Sequence, residues 1–120
     1  MDISVIIPLL NESDSLSELH SSLKKVMTSN SFTYEVIFID DGSTDDSWDV
    51  INRISKENQS TKGIRFLKNY GKSQALHIGF LKAKGNVVFT MDADLQDDPE
   101  EIPALYKMIA NENYDLVSGW

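Results

Sequence analysis

Two aspartates one residue apart, Asp92 and Asp94, follow an apolar run in the stretch "FTMDADLQDDPEE" (89–101) and are the residues best suited to chemistry. Alternate residues of an extended segment project to the same side, roughly 6–7 Å apart. Two carboxylates held that way repel one another unless a cation lies between them. Hard oxygen donors favour Mg2+ or Mn2+, with substrate phosphates completing the shell. The side chain of Gln96 offers one more oxygen, to the ion or to its ligands. A second acidic pair, Asp40–Asp41, ends the apolar run "YEVIFID" (34–40). One of these carboxylates can close a turn at Gly42 or cap the next helix, a role open to Asp45 as well. The other is free to accept hydrogen bonds from a nucleobase or ribose. Lys68 and Lys72 are the candidates for contacting phosphate.

These residues need a frame, and the apolar pattern supplies one. "ISVIIP" (3–8) is a nearly continuous β-branched run, as a strand buried on both faces requires. Leu16, Leu19, Leu23 and Val26 then recur at helical spacing, with Asn11 and Ser13 as caps. A second strand covers 34–40, and Trp48, Ile51 and Ile54 mark a second helix capped near Ser43 or Asp45. "GIRFL" (63–67) reads as a third strand, and residues 73–84 as a third helix with Leu76, Phe80 and Ala83 on its inner side. "NVVFTM" (86–91) is the fourth strand. Asp98–Pro99–Glu100–Glu101 starts a fourth helix, with an Asp cap and Pro at the first position, whose buried stripe is Ile102, Leu105 and Ile109. "YDLVS" (114–118) closes the series as a fifth strand. Strands alternating with helices predict an α/β protein: a doubly wound, mostly parallel sheet in three layers, α/β/α. In such sheets ligands bind beyond the carboxyl ends of the strands. Here those ends carry Pro8, Asn11 and Glu12; Asp40 and Asp41; Lys68, Asn69, Gly71 and Lys72; and Asp92, Ala93 and Asp94.

Composition narrows the classes. The chain has 120 residues, suited to a single domain, and no cysteine, which excludes disulfides, thiolate nucleophiles and Cys-built zinc sites. Its net charge of −8 argues against a nucleic-acid or anionic-lipid surface. An anionic ligand would therefore need a positive mediator. No basic, apolar leader opens the sequence, and no apolar stretch approaches the ~18–20 residues of a membrane span; the expected location is cytoplasmic. The sequence stops at Ser118–Gly119–Trp120 directly after an apolar run, so it reads as the first part of a longer protein. Several motifs fail. No G-x-G-x-x-G follows the first strand, and Phe66 replaces the first Gly of a P-loop ahead of Gly71–Lys72–Ser73. Asp97 and Pro103 replace the Gly and Glu that an EF-hand requires. His20 and His77 lie on helices without partners and read as structural or surface residues. A receiver-type Mg2+ module would want its acidic pair after the first strand and a lone Asp after the third. A D-x-D-x-T phosphatase would want Thr where Gln96 stands.

The segments "SVIIPLLNES", "VIFIDDGSTDDSW", "KNYGKSQALHIGFLKAKGNVVFTMDADLQDDPEEIP" and "YDLVSGW" resemble, in order and spacing, the N-terminal half of family 2 glycosyltransferases. The similarity points to the dolichol-phosphate mannose synthase-like branch, which includes bacterial polyprenyl-phosphate glycosyltransferases. It implies the Rossmann-like GT-A fold and a UDP-sugar or GDP-sugar donor. By the same resemblance, Pro8, Asn11 and Glu12 fall in the first nucleotide-contacting motif, and Asp41, with Asp40 beside it, in the base- or ribose-contacting one. Asn69, Gly71 and Lys72 match the loop that approaches the diphosphate. Asp92 and Asp94 match the catalytic metal-binding D-x-D, and Gln96 a metal ligand of the polyprenyl-phosphate branch. Leu10 departs from the pattern, since many relatives carry an aromatic there. The implied reaction is an inverting transfer to a polyprenyl phosphate, with a glycan hydroxyl of a wall, capsule or exopolysaccharide chain as the alternative acceptor. The acceptor site and any general base would lie beyond Trp120, along with any membrane attachment, so the 120 residues are expected to be a weak or inactive catalyst by themselves.

Overall fold

A computed structural model of the chain describes residues 1–112 and 116–117, with side chains described for 1–110. Five parallel strands form one sheet in the order β3-β2-β1-β4-β5. They are β1 (Ile3–Leu9), β2 (Tyr34–Asp40), β3 (Thr61–Arg65), β4 (Val87–Thr90) and β5 (Leu116–Val117). The helices are α1 (Leu16–Ser29), α2 (Ser47–Glu57), α3 (Lys72–Lys82) and α4 (Ile102–Glu112), the last entered through a 3-10 turn at Pro99–Glu101.

β1 is buried along its whole length, and its alternate residues feed two different cores. Ile3, Val5, Ile7 and Leu9 join Val36 and Phe38 of β2 beneath α1, α2 and α4. Ile6 joins Ile37, Ile39 and Ala75 of α3 on the other face. This is why the sequence shows an unbroken apolar run there instead of alternation. Each fully buried Ile or Phe contributes roughly 1.5–3 kcal/mol. At the amino end of the sheet the buried Glu35 carboxylate accepts from Ser4 Oγ at 2.6 Å and Lys84 N at 2.7 Å, and pairs with Lys62 Nζ at 3.0 Å. Burial alone would raise this carboxyl; those partners outweigh it and hold its pKa below the ordinary value. His20, also buried, bonds Thr61 Oγ1 at 2.7 Å. Burial, then Lys24, lowers its pKa, so the neutral ring serves a structural contact.

The observed elements depart from the sequence pattern in three places. β3 begins and ends two residues earlier than "GIRFL", because its register is set by pairing Thr61 to Val36 and Arg65 to Asp40. Phe80 lies on the outer part of α3, 38% exposed, while Ala75 and Gly79 meet the sheet. Small residues let this helix approach the strands closely: a Cβ on Gly79 would stand 2.4 Å from Ile6 Cγ2. α1 starts only after Ser15, so Asn11 and Ser13 cap nothing on it. Of the expected fifth strand, Leu116–Val117 is observed, while residues 114–115 and 118 lie outside the described residues, as does Trp120.

Candidate functional site

Pro8 decides where the sheet opens. Leu9 C=O accepts from Asp41 N on the β2 side, and Ile6 C=O accepts from Met91 N on the β4 side. Alternate residues of a parallel strand turn to alternate neighbours, so Pro8 faces β4, and it has no N–H to offer. Pairing of β1 with β4 ends at Ile6–Thr90, whereas pairing with β2 continues to Leu9–Asp40. Between the parted strands lies a cleft of about 410 Å³, lined by Pro8, Leu9, Leu10, Glu12, Asp41, Asn69, Gly71, Lys72, Asp92, Ala93 and Asp94. It stands at the reversal of strand order, where α/β sheets bind ligands. A hollow of comparable volume beside α1, lined by Ser22, Lys25 and Pro103 among others, gathers no such convergence of charge.

The cleft floor is anchored from below. Ala93 is buried, and its C=O accepts the hydroxyl of Ser15, the residue preceding α1. With Ala93 turned inward, Asp92 and Asp94 on either side are exposed along the cleft. The loop folds back on itself: Asp92 N donates to Asp97 Oδ2 at 3.0 Å, and Gln96 N donates to Asp94 Oδ1 at 3.2 Å. Leu95 takes φ 66° to make this turn. Gln96 lines a neighbouring hollow with Glu18, Leu19 and Ser22 and is not among the residues that line the cleft. Asp97, which offered no ligand role in the sequence pattern, closes the loop that holds Asp92 and Asp94.

The opposite wall depends on Asp41. This carboxylate, 6% exposed, accepts from Tyr70 N at 2.7 Å and from Gly71 N at 3.0 Å. It thereby fixes the β3–α3 loop and sets Lys72, the first residue of α3, at the cleft. Lys72 Nζ reaches Asp92 Oδ1 at 2.7 Å. Both side chains are more than half exposed, and such pairs are worth well under about 1 kcal/mol, so the ammonium can leave for a stronger anion. Lys68 takes no part: it lies 5.2 Å above the Tyr70 ring.

Asn11 and Asp40, both expected at the ligand, are used to build the rim. Asn11, in the left-handed region at φ 54°, accepts from Thr44 N at 2.8 Å and Asp45 N at 3.2 Å, while its own N–H donates to Ser43 Oγ. Glu12 N donates to Ser47 Oγ, which completes the seam between the two loops. Asp40 is fully buried and closes the turn by accepting from Ser43 N at 2.9 Å. Its Oδ2 has no partner among the described residues. Neither residue lines the cleft. Asp45 does the capping, accepting from Ser47 N at 2.9 Å. The scaffold contacts of Ser15 and Ser47 carried no sequence signal, and Ser43 read only as a helix cap, since serines are common in loops and each contact spans more than 30 positions.

Four carboxylates and one ammonium line the cleft, so an anion entering it meets net repulsion. Among the described residues no cluster of three or more His, Cys, Asp or Glu could hold a metal by itself. Two aspartates with ligand positions left over are the donor set of a hard cation that keeps water or takes phosphate oxygens. The residues present therefore fit such an ion at Asp92 and Asp94.

Comparison with known proteins decides the family. The sequence profile described as Glycosyl transferase family 2 matches residues 4–120. The chain belongs to this family. Among curated family 2 relatives it is 40% identical over 116 residues to an undecaprenyl-phosphate 4-deoxy-4-formamido-L-arabinose transferase from Pseudomonas syringae pv. syringae, covering 96% of this chain and 34% of that protein. It is 44% identical over 116 residues to the protein of that name from Aeromonas hydrophila subsp. hydrophila, covering 96% of this chain and 35% of the relative. The chain thus spans about a third of the length of these relatives. Among solved structures, a mannosyltransferase from Pyrobaculum calidifontis in complex with GDP-Man and Mn2+ superposes with TM-score 0.78 at 23% identity, over 90% of this chain and 32% of that one. Residues 1–349 of S. aureus TarS in complex with UDP-GlcNAc superpose with TM-score 0.77 at 25% identity, over 94% and 32%. The GT-A architecture expected from the family 2 resemblance is the one observed.

Proposed function

We propose that this chain is the donor-binding part of a metal-dependent, inverting glycosyltransferase that moves a sugar from a UDP-sugar or GDP-sugar to a polyprenyl phosphate. The observation that carries this reading is the cleft between β1 and β4, where Asp92 and Asp94 face Lys72. Asp92 and Asp94 would hold Mg2+ or Mn2+, which when bound neutralises the donor diphosphate and the charge developing on the leaving nucleotide. Lys72 would exchange its weak pair with Asp92 for a phosphate oxygen, aided by the N-terminus of α3, which has no side-chain cap. Pro8, Leu10 and Glu12 would line the nucleoside end, with Leu10 giving the base an apolar surface in place of an aromatic one. Asp41 would act first by holding the Asn69–Lys72 loop in place.

The relatives named as undecaprenyl-phosphate transferases favour a lipid-phosphate acceptor over a glycan hydroxyl. A phosphate acceptor arrives ionised and asks little of a general base. The test is titration calorimetry with UDP- and GDP-sugars, with and without Mn2+. Metal-dependent binding of one donor is expected, with Asp92→Asn and Asp94→Asn losing the metal-dependent part and melting within about 2 °C of the parent, as exposed positions do. Absence of nucleotide binding at millimolar ligand by the folded chain would overturn the reading. Robust sugar transfer by the 120 residues alone would overturn the assignment of the acceptor site to further sequence.

A further inference from the structure

The net charge of −8 conceals a sharp segregation. Residues 58–91 hold six of the 11 lysines and arginines and none of the 19 acids. This segment builds β3, α3 and β4, and α3 is the one helix on its face of the sheet among the described residues. The loop before α3 and the outer side of the helix leave Leu67 95%, Leu81 67% and Tyr70 56% exposed. Single exposed leucines need no explanation. These, however, alternate along the chain with Lys68, Lys82 and Lys84, whose ammonium groups have no acidic partner among the described residues. The helices on the opposite face mix the signs: Glu18, Asp49 and Glu57 stand among Lys24, Lys25, Arg53, Lys56 and Lys107.

We propose that the α3 face, from the Leu67–Tyr70 loop to Leu81–Lys84, is a docking surface for an anionic phospholipid bilayer. Among the described residues no helix is long and apolar enough to cross a membrane, so any contact made by this part of the chain is interfacial. Exposed leucines and a tyrosine sinking into the headgroup layer beside lysines are what such contact requires. The acids do not prevent it. Screening length is about 8 Å at physiological salt, whereas the smallest extent of the chain is 24 Å, so charges on the far side count little and the near face dominates, with the cleft carboxylates only at its Lys72 end. The docked face ends at Lys72, at the mouth of the cleft, where a phosphate carried on a lipid would arrive. That last link rests on the polyprenyl-phosphate reading; the docking does not.

The test is co-sedimentation of the chain with phosphatidylcholine vesicles, with and without phosphatidylglycerol, at low and high salt. Binding only to the anionic vesicles, weakened by salt, is expected. Each lysine contributes about fivefold, so Lys68→Gln with Lys84→Gln should weaken binding about 25-fold. Leu67→Ser with Leu81→Ser should weaken it while leaving the salt dependence. A folded chain that stays in the supernatant with anionic vesicles, or that binds them regardless of the lysine pair, overturns the proposal. So does a dimer in sedimentation velocity that the leucine pair abolishes, since a second copy would then own the face. Donor binding is measured separately by calorimetry: if it persists while vesicle binding fails, the docking surface alone is lost and the transferase reading stands.

Discussion

The Asp41 carboxylate offers the sharpest test of how the cleft is built. Its two oxygens accept from consecutive backbone N–H groups, Tyr70 at 2.7 Å and Gly71 at 3.0 Å. Asp41→Asn keeps the shape but presents one carbonyl and one NH2, so one N–H keeps its partner and the other faces a donor. A hydrogen bond to a charged acceptor is worth about 1.5–3 kcal/mol, and because Asp41 is 6% exposed the expected loss is about 2–3 kcal/mol. With an unfolding entropy of about 2.1 cal/mol/K per residue, each kcal/mol moves the melting temperature of a chain this size by about 4 °C. Asp41→Asn should therefore melt about 8–12 °C below the parent in a calorimetric scan. If the loop releases before the rest unfolds, the same energy appears instead as amide exchange at Tyr70 and Gly71 faster by about 30- to 150-fold. Donor affinity should fall in either case, because Lys72 follows Gly71. The reasoning is refuted if the variant melts within about 2 °C of the parent and both amides stay as protected as before.

Three further outcomes follow from the packing. The carboxyl of Glu35 titrates below its unfolded value, so its stabilisation is complete above the ordinary value of 4.5 and is lost as pH falls through the lower folded value. Glu35→Gln should cost about 2 kcal/mol in urea unfolding at pH 7, and the difference from the parent should shrink toward pH 3; an undiminished difference there would rule out the carboxylate as its source. Gly42 has φ 82°, and a Cβ on it would stand 2.5 Å from the backbone carbon of Lys68 and 2.6 Å from Asn69 N. Gly42→Ala should destabilise by about 3 kcal/mol and weaken donor binding by displacing the Asn69–Lys72 loop; unchanged melting and calorimetry would mean that the two loops do not touch in solution. At Gly79 helix propensity and packing oppose each other: alanine gains about 1 kcal/mol in the helix but meets Ile6 Cγ2 at 2.4 Å and Ile39 Cδ1 at 2.9 Å, an overpacking cost of about 1–3 kcal/mol. Both isoleucines are fully buried, so Gly79→Ala should lower the melting temperature, and a rise would show that α3 can lift from the sheet.

Much of the molecule was legible because burial writes itself into residue order. β1 and β2, shielded on both faces, appear as unbroken apolar runs, and Asp98–Pro99 announces α4 through local chemistry, with Asp98 Oδ1 accepting from Glu100 N at 2.9 Å. Asp92 and Asp94 could be named as partners because they lie on one extended segment, whose side-chain period is fixed. The sequence by itself therefore determined the alternation of strands and helices, the carboxyl ends where polar residues collect, and the aspartate pair. Tertiary structure alone decided which of those polar residues face the cleft. Asn11 and Asp40 have the right type and place, yet the Asn11 Oδ1 and one Asp40 oxygen are taken by the 43–45 backbone, a contact that for Asn11 spans more than 30 positions. Gln96 is two residues from Asp94, yet beyond the left-handed turn at Leu95 it lines a neighbouring hollow. Conversely Asp97, Ser15 and Asp41 gained roles that spacing does not carry. A periodicity reports which side a residue faces within its own element, whereas hydrogen-bond satisfaction is settled only when separate loops meet, and there each oxygen goes to the nearest unpaired N–H or hydroxyl.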